Sequence, residues 1–383
     1  MTPMRSSSRG YGFSLIEFMV AIAAGLILLA GIVAIFSAQT RTYATSGAQG
    51  AIQDEENAIS ALVTPILRGT GFMGCAGSAA MASMLVPGGA PPLGAATSPF
   101  APIMGYGYAS TGPATTYVLG SLPGAASPSP QDNVANDAGT GDWSPTLDNS
   151  LKGLVEPGSD VISVVGGVPQ TQPVAVTAVA ADGSNFTIYD NPDGIAAGQF
   201  GAISDCGKSV VFQVTSAGGA STGANWTLSY AAGGNPFDNV SNTLPATFQP
   251  GAQFVPLQQT AFFVAQNPGS GGESVLMRAI LQAGGNWVVQ PLVPGVEMMQ
   301  VLYGVGAGGV PTQYLTAAAV NAGNAWSMVD TVRVAFLLEG EPGSASNNNP
   351  TSITMLGGMT VQVPRDTRLR HLFEITVNLR NAV

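Results

Sequence analysis

Few residues in this chain have the types and spacing that catalysis needs. Gly219-Ala220-Ser221-Thr222-Gly223 carries the spacing of a serine nucleophile on a sharp turn. Such a serine attacks a carbonyl only when a strand, a tight turn and a helix expose it and a histidine takes its proton. Here the segment is an Ala/Gly/Ser loop between two strand-like runs, which predicts a hairpin connection. His371 is the only histidine. It sits on a terminal strand among apolar same-face neighbours, so the pattern predicts a satisfied or interface imidazole. Gly304-Val305-Gly306-Ala307-Gly308-Gly309 has dinucleotide-site spacing, with Asp330 downstream. That site requires the glycines to open a helix, and Val310-Pro311 follows instead. Asp190-Asn191-Pro192-Asp193-Gly194 offers oxygens to Ca²⁺ without the later bidentate Glu, and the same residues make an ordinary turn. One His and two Cys supply no zinc constellation. The expectation is therefore no catalytic centre, no cofactor and no metal site.

A different chemistry stands near the start. A basic leader with Arg5 and Arg9 precedes Gly12-Phe13-Ser14-Leu15-Ile16-Glu17, and the run after Glu17 is uncharged until Arg41. A secretory signal has an apolar core of about 7–15 residues and then a small-residue cleavage site; this run is longer. Phe18 to Thr40 is enough for a membrane anchor, which needs roughly 20 apolar residues. An anchor alone leaves Glu17 unexplained, because a carboxylate inside an apolar helix costs a few kcal/mol and is usually functional. The basic leader holds that end in the cytoplasm and sends the rest to the other side.

The 383 residues carry a formal charge of −10, only 9 % charged residues, 50 Gly and 27 Pro. An acidic surface repels phosphate backbones, so nucleic acid is excluded as a main partner. Ile52, Ile59, Leu62, Val63, Ile66 and Leu67 recur at helical spacing, predicting that the first helix continues beyond the membrane. Pro65 should kink or end it, and Gly69 and Gly71 close it. Residues 76–158, punctuated by proline, read as an irregular excursion with few strands. Strands are predicted at Asp160–Val165, Val174–Val179, Asn185–Tyr189, Ser209–Thr215, Asn225–Tyr230, Thr260–Ala265, Ser274–Leu281, Trp287–Gln290 and Val296–Tyr303, with a short helix at Tyr314–Val320. Thr331–Glu339 and Leu369–Arg380 alternate with a period of two, a half-buried sheet pattern. Arg365, Arg368, Arg370 and Arg380 form the one basic cluster, read either as a dock for an acidic neighbour or as a solvated face paired with Asp366 and Glu374. Cys75 and Cys206 are most simply one disulfide in an oxidising compartment.

The order basic leader, Gly-Phe, apolar run and early acid resembles the N-terminus of type IV pilin-like proteins. Leu292-Val293-Pro294-Gly295-Val296-Glu297, Gln300 to Val305, Val332-Arg333-Val334 with Leu337-Leu338, and Arg368-Leu369-Arg370 to Asn381 resemble the late part of PilW-type minor pilins. So do Gly71-Phe72-Met73-Gly74-Cys75, Ser204-Asp205-Cys206 and Val211 to Thr215. The resemblance covers both ends and islands between them. Gly306 stands where that group often has an acid, and Phe18 follows Glu17 in place of the commoner Leu.

The resemblance implies an α+β fold: a long N-terminal pilin helix, transmembrane in its first half, packed on a strand-rich head with antiparallel sheet. The implied divisions are a leader at 1–12, the helix at 13–70 with its membrane span near 15–38, an irregular part of the head at 71–159 and a β-rich part at 160–383. A prepilin peptidase would cut between Gly12 and Phe13 and methylate Phe13, and Glu17 would set assembly register against the amine of a neighbouring subunit. Implied partners are that peptidase, other minor pilins, the major pilin and the inner-membrane assembly platform. The chain would pass once through the inner membrane with a periplasmic head, then enter the extracellular pilus at its tip. A tip adhesin and a type II secretion pseudopilin are the alternative roles.

Overall fold

The computed structural model describes residues 14–75, 81–85, 102–109, 111–119, 142–147, 151, 153–169, 171–191, 194–219, 224–233, 237–266, 273–282, 285–307, 310–345, 351–379 and 381. Gly12, Phe13, Asp193, Ser221, Gly308, Gly309 and Arg380 lie outside the described residues.

A single helix, α1 (Leu15–Arg68), opens the fold, and its 54 residues span about 80 Å at 1.5 Å per residue. Its buried residues, Ala48, Ile52, Ile59, Val63 and Leu67, all lie in the second half. Their three- and four-residue multiples make one stripe, the face that packs on the head. Pro65 does not end the helix. It lies in the last turn, and the cap N–H of Gly69 donates to Leu67 and Pro65 carbonyls.

The chain then runs through β1 (Met81–Ser83), β2 (Ile103–Tyr108), β3 (Thr116–Val118), β4 (Trp143–Ser144), β5 (Val161–Gly167), β6 (Val174–Val179), β7 (Asn185–Tyr189), β8 (Phe200–Asp205), β9 (Lys208–Gln213), β10 (Ser216–Gly219) and β11 (Asn225–Ser229). The second half carries β12 (Gln253–Gln266), β13 (Ser274–Leu281), β14 (Trp287–Pro294), β15 (Val296–Ala307), β16 (Val310–Leu315), β17 (Val329–Glu339), β18 (Ser352–Thr354), β19 (Thr360–Gln362) and β20 (Arg370–Asn378). A short helix, Ala317–Ala322, follows β16 and starts three residues later than the sequence predicts, because Tyr314 pairs with Gly304 in the β15–β16 hairpin.

β12 is the spine of the largest sheet. Its first residues pair with β6 and β8, its middle with β5 and its end with β13. A second sheet runs β16-β15-β17-β20, all antiparallel, and a third runs β18-β19-β3. The described parts of residues 81–144 are woven into these sheets, since β1 pairs with β9, β2 with β5 and β3 with β19.

β17 departs from the half-buried expectation. Val334, Phe336 and Leu338 face α1 in one core with Ile59, Val63, Leu67 and Phe262. Ala335 and Leu337, on the opposite face, pack in a second core with Trp143, Tyr117, Leu147 and Phe263. Apolar cover on both sides, part of it from the proline-rich segment, buries the strand twice over.

Cys75 is disulfide-bonded to Cys206 in the β8–β9 turn, with Cα atoms 4.7 Å apart across a separation of 131 residues. A loop of that length predicts that the Cys75→Ser, Cys206→Ser double variant loses about 4–5 kcal/mol of stability on the chain-entropy account. Urea unfolding of the detergent-solubilised full chain checks this, and a loss below about 1 kcal/mol would contradict it.

Candidate assembly interface

The chemistry at the start of α1 is held by a capping box. Ser14 is the N-cap, its Oγ accepts from Glu17 N at 3.2 Å, and the Glu17 carboxylate accepts from Ser14 N at 3.4 Å. Glu17 thus stands in the first turn, where the helix dipole favours an anion. The apolar residues that follow touch nothing in the monomer: Leu15 is 77 % exposed and Phe36 67 %. The helix is long and apolar enough to cross a membrane. Gly25 and Gly31 have no atom within 4 Å of the space a Cβ would fill, so the monomer itself makes no use of their smallness.

Contact with the head begins at Thr45, whose Oγ1 donates to the Ser344 carbonyl at 2.8 Å. Further along, Glu56 pairs with His371 Nδ1 at 2.6 Å. The only histidine therefore ties β20 to the helix and is a satisfied residue. Glu55 lies over the turn from β14 to β15. Gly295 adopts φ +71° there, and a Cβ on it would stand 2.9 Å from Glu55 Oε1 and 3.0 Å from the Glu339 carbonyl. Only glycine meets both conditions without strain.

That turn feeds the charged core of the head. Glu297, second residue of β15, receives Arg370 Nε at 2.6 Å and Nη2 at 2.7 Å, a bidentate pair. Arg370 also donates to both Asp366 oxygens at 2.7 and 2.8 Å. Glu339 sits opposite Arg370 in the β17–β20 register and pairs with Arg368 Nη1 at 3.2 Å. The Arg370 side chain is only 6 % exposed and that of Glu297 2 %. Arg370 is therefore neither a dock for a neighbour nor on a solvated face, which corrects the sequence expectation. Glu374 pairs with Arg333 instead, diagonally across the same strands, where Arg333 lies opposite Thr376 and Glu374 opposite Ala335. Burial first, then the Glu297 carboxylate that hydrogen-bonds it, pushes the Glu339 carboxyl up against the pull of Arg368 and Arg370.

Three further carboxyls hold protons unusually well: Glu156, Glu55 and Asp160, the last raised to about 7 by burial against hydrogen bonds from Val301, Tyr108 and Thr111. Burial pushes Glu156 up to about 8, with Glu297 adding to the shift and a hydrogen bond from Ser274 opposing it. Glu55 is raised to about 7 by burial and then by Glu273, Asp54, Glu341 and Glu56. A group whose pKa is higher folded than unfolded stabilises the fold fully below its ordinary range and loses that contribution as pH rises through the folded value. The head should therefore melt several degrees lower at pH 8.5 than at pH 5, with the loss falling between about pH 5 and 8. Glu156→Gln should flatten the curve; a melting temperature that rises with pH would contradict the assignment.

The other motifs resolve into plain structure. Gly304 and Gly306 lie within β15, so no helix opens on them. Gly219 ends β10, which pairs in a hairpin with β11. Asp190, at φ +65°, caps a turn in which Asn191 accepts from Ile195 N at 2.7 Å. Among the described residues no group of three His, Cys, Asp or Glu could hold a metal. Sequence reading missed the Glu297–Arg370 pair. The signal it left was Glu297, a carboxylate between the apolar residues Val296, Met298 and Met299.

Comparison with known proteins falls on this same region. Residues 261–381, which hold Glu297, Glu339, Asp366, Arg368, Arg370 and His371, match the family described as Type IV Pilus-assembly protein W. A type IV-like pilin from Thermus thermophilus aligns at 13 % identity over 56 % of this chain and 87 % of that one, with a TM-score of 0.22. An overlap that loose adds nothing to the assignment. No curated protein matches the chain.

Proposed function

We propose that this chain is a PilW-type minor pilin that takes part in type IV pilus assembly. The observation that carries the reading is the joining of two parts in one chain. An apolar half-helix that the monomer leaves exposed, with Glu17 at its start, is continuous with a head whose 261–381 segment matches the PilW family. An exposed apolar helix has two stable destinations, lipid or other helices, and assembly moves it from the first to the second. Its role is therefore structural rather than catalytic.

In this reading the prepilin peptidase cuts after Gly12 and methylates Phe13. The helix waits in the inner membrane with the head in the periplasm until the assembly platform extracts it. Glu17 then meets the amine of a neighbouring pilin, and that pairing fixes axial register while it offsets the cost of a carboxylate among apolar side chains. The bulk of the head restricts the subunit to the fibre tip, where it primes assembly with other minor pilins.

Deletion of the gene with immunogold labelling of the complemented strain tests this. Loss of surface fibres, with label at fibre ends after complementation, supports the proposal. Normal fibres that no longer attach would favour a tip adhesin, and label spread along the fibre would overturn the tip assignment.

A further inference from the structure

A cleft beside the end of α1 reverses the charge balance of the chain. It follows the last two turns of the helix from Ala61 to Gly69, about 12 Å along the axis. Leu62, Pro65 and Ile66 line it from the helix, Val164 and Pro169 from β5 and the loop after it, and Arg278 from β13. Its volume is about 480 Å³, within the range of ligand pockets. A second cavity of about 400 Å³, lined by Arg68, Phe72, Val168 and Asn381 among others, shares Gly69 and Gly167 with the first, so the two adjoin. The antiparallel bridge of Thr70 to Gly166 brings the helix end down onto β5 there. Leu62 is 42 % exposed, the only large apolar side chain so open between Ala48 and Arg68.

The chain has 22 acidic and 12 basic side chains. Among the described residues that line the two cavities there are two guanidiniums and no carboxylate. Arg278 Nη2 donates to Gln290 Oε1 at 2.7 Å, which holds the guanidinium in place, and its Nε is buried without a hydrogen-bond partner. Neither Arg278 nor Arg68 is ion-paired among the described residues, whereas Arg333, Arg368 and Arg370 each meet a carboxylate. Glu55 lies seven residues before Leu62 on the helix, about 10 Å away along the axis. Glu273 lies five residues before Arg278, about 17 Å along the strand. Gln258 and Thr260, the polar side chains beside Arg278, bond to each other at 3.1 Å. A buried N–H without an acceptor is costly, and the planar fork of arginine matches a carboxylate.

We propose that this cleft docks an extended segment of a neighbouring pilin in which carboxylates are interspersed with apolar side chains. One carboxylate meets Arg278, a second further along the segment meets Arg68, and an apolar side chain between them covers Leu62 and Ile66. A small anion would fill one cavity and leave its neighbour open; about four residues of extended chain cover the 12 Å that the two share with the helix. The source, a neighbouring pilin, rests on the assembly reading. The preference of the cleft for such a segment does not.

Isothermal titration of the full chain in phosphatidylcholine nanodiscs tests this. The probes are acetyl-Val-Glu-Leu-Val-Glu-Leu-amide, the same peptide with glutamine in place of both glutamates, and hexanoate. The glutamate peptide should bind at least tenfold tighter than the glutamine form, the effect of one hydrogen bond to a charged group. Arg278→Met should remove that difference. Leu62→Glu should remove it too, while Leu62→Lys, at the same exposed position, should keep it. Equal binding of the two peptides, binding of neither, or equal loss in both Leu62 variants would overturn the proposal. Hexanoate that binds as tightly as the glutamate peptide would assign the cleft to a small organic acid and overturn the docked segment. A mature chain that begins at Met1 would remove the neighbouring pilin as the source and leave the peptide result standing.

Discussion

Glu17→Val leaves the chain in the membrane and depletes it from sheared fibres by at least tenfold. The wild-type carboxylate costs about 2.5–3.5 kcal/mol when an apolar helix carries it into lipid. On the proposed assembly role, that cost would disfavour the free subunit and be relieved in the fibre where Glu17 meets a neighbouring amine. Valine removes both the penalty in the membrane and the relief on leaving it. At about 1.4 kcal/mol per factor of ten, a difference of this size is roughly a hundredfold in distribution. The capping box adds a smaller loss, because Ser14 and Glu17 satisfy helix N–H groups reciprocally. Glu17→Asp keeps the charge with a shorter reach and should fall between the two. Quantitative blots of the membrane and sheared-fibre fractions, with the cleavage state read from the same samples, make the measurement. Wild-type fibre levels of the valine variant would contradict the role given to Glu17.

Arg370→Ala should destabilise the head by about 3–5 kcal/mol, the range seen when one partner of a buried pair is removed. Glu297 would be left 2 % exposed without its bidentate partner, and Asp366 and Glu339 would lose the same guanidinium. Combining Glu297→Leu with Arg370→Met removes both charges and should recover much of the stability, because apolar replacement of a whole buried pair is often neutral. Thermal melts of the wild type, Arg370→Ala and the double variant test the account. A loss under about 1 kcal/mol for Arg370→Ala would mean that the cluster is solvated.

These two sites differ in how legible they were. Glu17 was visible because its neighbours are all of one kind: an acid in an uncharged run has no bland explanation. The helix and the alternating strands β17 and β20 were visible for the same reason, since one period persists over several turns or residues. Glu297 and Arg370 are 73 positions apart, and each alone looks like the polar side of a half-exposed strand. Their burial follows from cover that no local pattern announces. The second core draws Tyr117, Trp143, Leu147 and Leu151 from a segment where proline and glycine break every period. The start of β12 was hidden likewise. Gln253, Pro256, Gln258 and Gln259 interrupt its apolar run, yet each belongs to the strand through backbone pairing with β8, β6 or β5. Pro256 is tolerated where β12 changes partners, opposite Gly201 of β8. The Arg365–Arg370 cluster was seen as basic with Asp366 as a partner, but the counter-charges Glu297 and Glu339 come from β15 and β17, so its division into a buried half and an exposed half appears only in three dimensions.

The central claim is that this chain enters the pilin pathway, and the mature N-terminus tests it most directly. Intact mass and N-terminal peptide analysis of the membrane-extracted protein, from cells with and without the prepilin peptidase, should give a chain that begins at methylated Phe13 only when the peptidase is present. A chain that begins at Met1 in both would contradict the account and leave a simple anchored protein.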